Sequence, residues 1–86
     1  FIIPIGTLKE SLKIAQQLRE SGIKTEIDLM GRGVSKNLNY ANAMGIPFAV
    51  FIGEEELREN KVKVRDMMSG QEKLVRPDEI KESLKL

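Results

Sequence analysis

Residues 45–65 read GIPFAVFIGEEELRENKVKVR, and the fold turns on how this stretch is interpreted. From Phe48 to Ile52 there is no polar side chain, the pattern of a strand covered on both faces, so Pro47 to Ile52 is expected to be a central strand. Gly53 opens an acidic turn that carries Glu54, Glu55 and Glu56 and runs to Asn60. The chain then returns through a strand in which Lys61, Lys63 and Arg65 alternate with Val62 and Val64. A period of two places the cations on one face and the valines on the other. One face packs, and the other is free to meet a negative partner.

A strand buried on both faces implies flanking helices, and the neighbouring segments supply them. Upstream, Phe1 to Ile5 is apolar enough for a first strand, although Pro4 cannot donate to a ladder and belongs near a strand end. Thr7 and Glu10 have the spacing of a capping box, and Leu8, Leu12, Ala15 and Leu18, widened by Ile14, form the stripe of a first helix closed by Gly22. Thr25 to Leu29 alternates, with Thr25, Ile27 and Leu29 on one face and Glu26 and Asp28 on the other, as in a half-exposed edge strand. After the loop Met30-Gly31-Arg32-Gly33, the residues Val34, Leu38, Ala41 and Ala43/Met44 mark a second helix ending at Gly45. Downstream, Met67 to Gln71 is a turn and Lys73 to Arg76 a last strand. Pro77 at a first helical position, followed by Asp78 and Glu79, opens a short terminal helix with Ile80 and Leu84 on one face.

Right-handed crossovers then place the first strand between the second and third. The expectation is an α/β domain with a mixed five-stranded sheet of order 2-1-3-4-5, mostly parallel with one antiparallel strand, and three helices. In such sheets ligands meet the carboxyl ends of the parallel strands. Here that edge would carry Gly6, the Gly31–Gly33 loop and the Gly53–Asn60 turn.

With 86 residues the chain is expected to be one domain, 1–86. It begins with Phe1 at the head of an apolar strand, and is read as a C-terminal piece of a larger protein. The formal charge of +1 gives no global field for gathering a polyanion, so any such binding must come from a local basic patch. Neither cysteine nor histidine is present, which removes disulfides, thiolate nucleophiles, the usual zinc ligands and the commonest general base. The glutamates of the 53–60 turn are adjacent, with no His, Lys or metal set to separate their pKa values, so no catalytic residue is expected. No apolar run approaches the ~20 residues that cross a bilayer, so no membrane partner is expected.

Three groups remain as candidates for binding. Arg32, between Gly31 and Gly33 and one turn from Lys36, makes a basic corner with no acid between Arg32 and Ile52. Spacing alone leaves open either a phosphate grip at a helix start or two turn glycines beside a solvated arginine. A glutamate of the turn can accept from the amino edge of a base, against the plainer reading of a solvated charge run. Arg65 has a fork suited to phosphate or base, while Lys61 and Lys63 read as an ordinary exposed strand face. Tyr40, the single tyrosine, is expected to pack rather than to stack on a base.

The succession FIIPIG, LR-x-x-G-I, D-L-x-G-R, YA-x-x-x-GIP, VFIGEEEL and KVKVRDM-x-SGQ, over essentially the whole chain, resembles the C-terminal anticodon-binding domain of class IIa aminoacyl-tRNA synthetases, most closely the histidyl branch. The resemblance implies tRNA as partner, histidine-specific in this branch, and no cofactor for the domain itself. It implies that ATP and magnesium belong to a separate catalytic domain of a cytoplasmic, homodimeric parent, with the isolated piece a monomer. It also implies roles for Glu56 and Arg65, which correspond to base-contacting positions of threonyl relatives. Gly31 stands where those relatives carry an asparagine, so that carry-over fails. In its place Arg32 and Lys36 match the G-R-x-x-x-K arrangement of the histidyl branch. The alternative is a protein-interaction or regulatory domain of a synthetase-like paralogue that does not charge tRNA.

Overall fold

A computed structural model describes residues 1–84, so the last two positions of the expected 1–86 domain lie outside the described residues. The elements are β1 (Ile2–Ile5), α1 (Leu8–Glu20), α2 (Val34–Ala43), β2 (Phe48–Gly53), α3 (Glu54–Arg58), β3 (Val62–Asp66), β4 (Glu72–Val75), a 3-10 turn (Pro77–Glu79) and α4 (Ile80–Ser83). Among the described residues the sheet has four strands in the order β1-β2-β3-β4. β1 and β2 are parallel, with Ile5 beside Gly53, and β3 is antiparallel to both β2 and β4. No helix of the described residues is long and apolar enough to cross a membrane.

The five-stranded sheet of order 2-1-3-4-5 is therefore corrected to four strands, and the three expected helices to four. Thr25 to Leu29 does run beside β1, but only through the single parallel bridge Ile2–Ile27. Ile2 N donates to Glu26 O at 2.8 Å and Asp28 N to Ile2 O at 3.0 Å. The next rung needs an N–H from Pro4, which has none. The rung after it needs Met30 N, which donates instead to the Asp28 carboxylate at 2.9 Å. The ladder stops for want of both donors. The additional helix is α3, where the acidic turn winds up because Glu54, Glu55 and Glu56 occupy a first turn whose free N–H groups favour negative charge.

The core lies mainly between the sheet and α1 with α4. Ile2, Val50, Ile52, Val62 and Val64 point to that side and pack against Ile14, Ala15, Leu18, Ile80 and Leu84. Thr7 does not make the expected cap. It is buried, donates its hydroxyl to Ile52 O at 2.6 Å and meets Ser11 Oγ at 3.0 Å. This tether turns α1 so that Ser11 faces inward, while Leu8 and Leu12 of the predicted stripe stay over 40% exposed. The opposite sheet face carries Ile3, Ala49 and Phe51, against which Leu38 of α2 packs.

Candidate nucleic-acid interface

Strand parity builds one open face. On the α2 side, Lys63 of β3 stands beside Phe51 and Arg65 beside Ala49, and β4 sets Leu74 beside Lys63 and Glu72 beside Arg65. Leu38 of α2 reaches the β1 and β2 half of this face, while Leu74 on the far half is exposed. Val62 and Val64 are buried on the other side, as the alternation requires. The result is an open surface of apolar, cationic and acidic groups, a form suited to a polymer rather than to a small enclosed ligand. A cleft of about 490 Å³ on the α4 side is lined by Phe48, Val64, Lys73, Ser83 and Leu84 and reaches Asp66, Gln71 and Glu72 at its edge, but does not include Glu56, Arg65, Arg32 or Lys36.

Glu56 joins this face from α3. Gly53 shares parity with Ala49 and Phe51, and a Cβ built on it would collide with Glu56 Oε1, so the carboxylate lies directly over the Gly53 backbone. The neighbouring Glu54 carboxylate sits against Gly6, where an added Cβ would meet its Oε1 at 3.4 Å. Arg65 stands four residues lower along β2, at Ala49, which is roughly 13 Å of strand rise. Glu56 and Arg65 are thus on one face but at its two ends, with Phe51 and Lys63 between them. No single base reaches both.

The Gly31–Gly33 loop is built by Asp28. Its carboxylate accepts from Met30 N (2.9 Å), Arg32 N (3.0 Å) and Asn37 Nδ2 (2.8 Å). The hydrogen bond from Asn37, with help from the two backbone donors and Arg32, holds the Asp28 carboxyl below the usual carboxylate range despite its burial. Arg32 Nε lies 3.8 Å from Asp28 Oδ1, and the guanidinium carbon stands 5.8 Å from the centre of the Tyr40 ring. The basic corner therefore contains an acid after all, supplied from before the loop. Tyr40 packs on Phe1 with ring centres 5.3 Å apart and donates to Glu26 Oε1 at 3.0 Å, a bond that raises its phenol pKa. Lys36 is exposed in the first turn of α2 and, among the described residues, forms no ion pair. Gly31 and Gly33 adopt φ of +64° and +92°, which lets the chain wrap the Asp28 carboxylate.

The structure therefore brings Glu56 and Arg65 to one face, and Gly31, Arg32 and Lys36 to the loop and first turn that lead into the helix on that side. Two participants are not legible as such in the sequence. Asp28, on the polar side of the 25–29 alternation, is 4% exposed. Glu72, beside Arg65, belongs to none of the three candidate groups. The signal for Asp28 was the Asp-x-x-Gly-x-Gly spacing, in which a short acid precedes turn glycines. Among the described residues no group of three or more His, Cys, Asp or Glu side chains is placed to hold a metal ion.

Residues 1–85 match the family model described as "Anticodon binding domain". The chain is 45% identical over 87 residues to the histidine–tRNA ligase of Pyrococcus furiosus, covering 99% of this chain and 20% of that protein. Among solved structures it is similar to histidyl-tRNA synthetase from Nostoc sp. PCC 7120, with a TM-score of 0.90 and 28% identity over 98% of this chain and 21% of that one. It is likewise similar to the apo S. aureus histidyl-tRNA synthetase, with a TM-score of 0.86 and 30% identity over 100% of this chain and 23% of that one. The chain spans about a fifth of the length of the relatives it matches.

Proposed function

The chain belongs to the anticodon-binding domain family, and from that premise we propose that it reads the anticodon loop of a histidine-accepting tRNA as the C-terminal domain, residues 1–86, of a histidine–tRNA ligase. The catalysis lies elsewhere in that parent, a cytoplasmic homodimer in which a separate domain joins histidine to tRNA with ATP and magnesium. The isolated piece is a monomer. The single observation that carries the reading is the open sheet face, on which Glu56, Lys63 and Arg65 stand around Phe51 with no helix, among the described residues, over the β4 half.

Each group has a defined task on this reading. Glu56, held over Gly53, accepts from the amino edge of an unstacked base. Arg65, at the other end of the face, donates to a second base or to phosphate, since the ~13 Å of strand between them excludes a shared one. Arg32 and Lys36, with the turn that Gly31 permits, steady the backbone of the loop, which positions the RNA without reading its sequence.

The test is a titration of the 86-residue chain with a histidine-tRNA anticodon stem-loop beside a scrambled-loop control. Arg65→Ala and Glu56→Ala should each cost about 1–3 kcal/mol of the preference for the cognate loop. Arg32→Ala and Lys36→Ala should weaken both loops alike and flatten the salt dependence. Equal binding of both loops by the unaltered chain, with affinity set by salt alone, would refute anticodon reading.

A further inference from the structure

Arg65 does not face solvent alone. Its Nη1 donates to Glu72 Oε2 at 3.2 Å, and the other carboxylate oxygen lies 3.9 Å from Lys63 Nζ. One carboxylate on β4 therefore spans both cations that β3 turns to the open face. All three side chains are accessible, at 43% for Lys63, 33% for Arg65 and 36% for Glu72. Of the remaining guanidinium edge, Nε is buried without a partner among the described residues, and Nη2 lies by Gly70, where an added Cβ would stand 3.8 Å away. The fork is thus held by Glu72, with its charge partly answered.

That arrangement discriminates between two kinds of acceptor. A backbone phosphate drawn to Lys63 and Arg65 brings a second negative charge against Glu72, which offsets part of its attraction to the two cations. A base edge presents neutral acceptor atoms and gains hydrogen bonds from the guanidinium without that repulsion. We propose that Glu72 is a specificity-determining residue, which holds Arg65 for a base edge and weakens the pull of the Lys63–Arg65 pair on RNA phosphate. The biological target rests on the anticodon reading above, but the repulsion acts on any single-stranded RNA. Accessible ion pairs of this kind contribute little to folding, so loss of the charge leaves the domain intact.

The experiment compares the unaltered chain with Glu72→Gln, Arg65→Ala and the double variant, each titrated over a salt series with oligouridylate and with the cognate and scrambled stem-loops. Glu72→Gln should bind oligouridylate more tightly, and the slope of log K against log salt should steepen by about 0.7, the value for one further phosphate contact on a single strand. Most of that steepening should vanish in the double variant. The preference for the cognate loop should fall by about fivefold or more, the equivalent of one base contact. Glu72→Ala, which also removes the charge, must show the same steepening, and circular dichroism melts establish that each variant is folded. An unchanged or shallower slope in both charge-removing variants overturns the proposal. If the slope steepens as expected while the unaltered chain shows no preference between loops, the phosphate repulsion stands and the anticodon reading falls.

Discussion

Gly53→Ala separates the position of Glu56 from the stability of the fold. Gly53 has φ −101° and ψ 158°, a conformation open to any residue, so alanine meets no backbone strain there. Two small effects on folding oppose each other. Alanine loses less chain entropy than glycine on folding, a gain of about 0.4–1 kcal/mol, while glycine is the better residue at a helix N-cap, an advantage of similar size. Net stability should stay within about 1 kcal/mol, a shift in Tm of no more than about 4–8 °C for a domain of this size. The added methyl group, however, occupies the space of Glu56 Oε1. The carboxylate, on a flexible side chain, must swing away from the face. If Glu56 reads a base from its place over Gly53, the substitution should remove the whole contribution of that contact, about 1–3 kcal/mol or roughly 5- to 150-fold in loop preference.

The assay is fluorescence anisotropy with cognate and scrambled loops, run on Gly53→Ala, Glu56→Ala and the pair together, beside thermal melts by circular dichroism. The double variant should discriminate no worse than Glu56→Ala alone, because both single changes delete the same contact. Full discrimination by Gly53→Ala, set against its loss in Glu56→Ala, would refute the argument that the carboxylate acts from above Gly53. A fall in Tm well beyond 8 °C would refute the estimate of the stability terms.

Other outcomes follow from the loop chemistry. Asp28→Ala removes the acceptor of Met30 N, Arg32 N and one N–H of Asn37 Nδ2, whose other N–H keeps Gly33 O, and should cost roughly 2–4 kcal/mol in urea unfolding at neutral pH. Because the folded-state pKa of Asp28 is depressed, its contribution is complete above the unfolded value near 3.9 and disappears as pH falls through the folded value. The stability gap between the unaltered chain and Asp28→Asn, measured by urea titration, should therefore be constant near neutrality and close below about pH 4. Tyr40 is the only tyrosine and there is no tryptophan, so absorbance near 295 nm reports it alone. Its titration midpoint should lie above the ordinary value of 10 and return toward it in Glu26→Ala, which removes the leading cause of the shift.

Periodicity made part of this fold legible and concealed the rest. The uninterrupted apolar run of β2 and the alternation of β3 are packing patterns, and packing decided them. The segment 25–29 has an equally good alternation, yet it forms a single bridge, because pairing with β1 depends on donors that Pro4 lacks and that Asp28 diverts. The same competition from short polar side chains explains α1. A Thr7 hydroxyl drawn to Ile52 O rotates the helix so that a serine, rather than Leu8 or Leu12, faces the core. Glu54 to Arg58 lacked the length for a helical period to show, so the turn reading missed α3. At the interface, the alternation of β3 identified the cationic face. The acid that answers those cations arrives from β4 by register, and a register is set only when two strands meet.

The proline at the edge of β1 also governs how these molecules behave in company. A sheet edge with unpaired donors and acceptors is a template on which another strand can lie, and crowded chains find such templates. Here one edge is closed by its own composition. Pro4 offers no donor, and the carboxylate of Asp28 takes the Met30 N–H that the adjoining chain would otherwise present. What remains open is β4, only Glu72 to Val75 in length, with a glutamate and a lysine in consecutive positions. Growth by strand addition is confined to a short and charged border, a shape that favours solitary domains even where many copies are held close together.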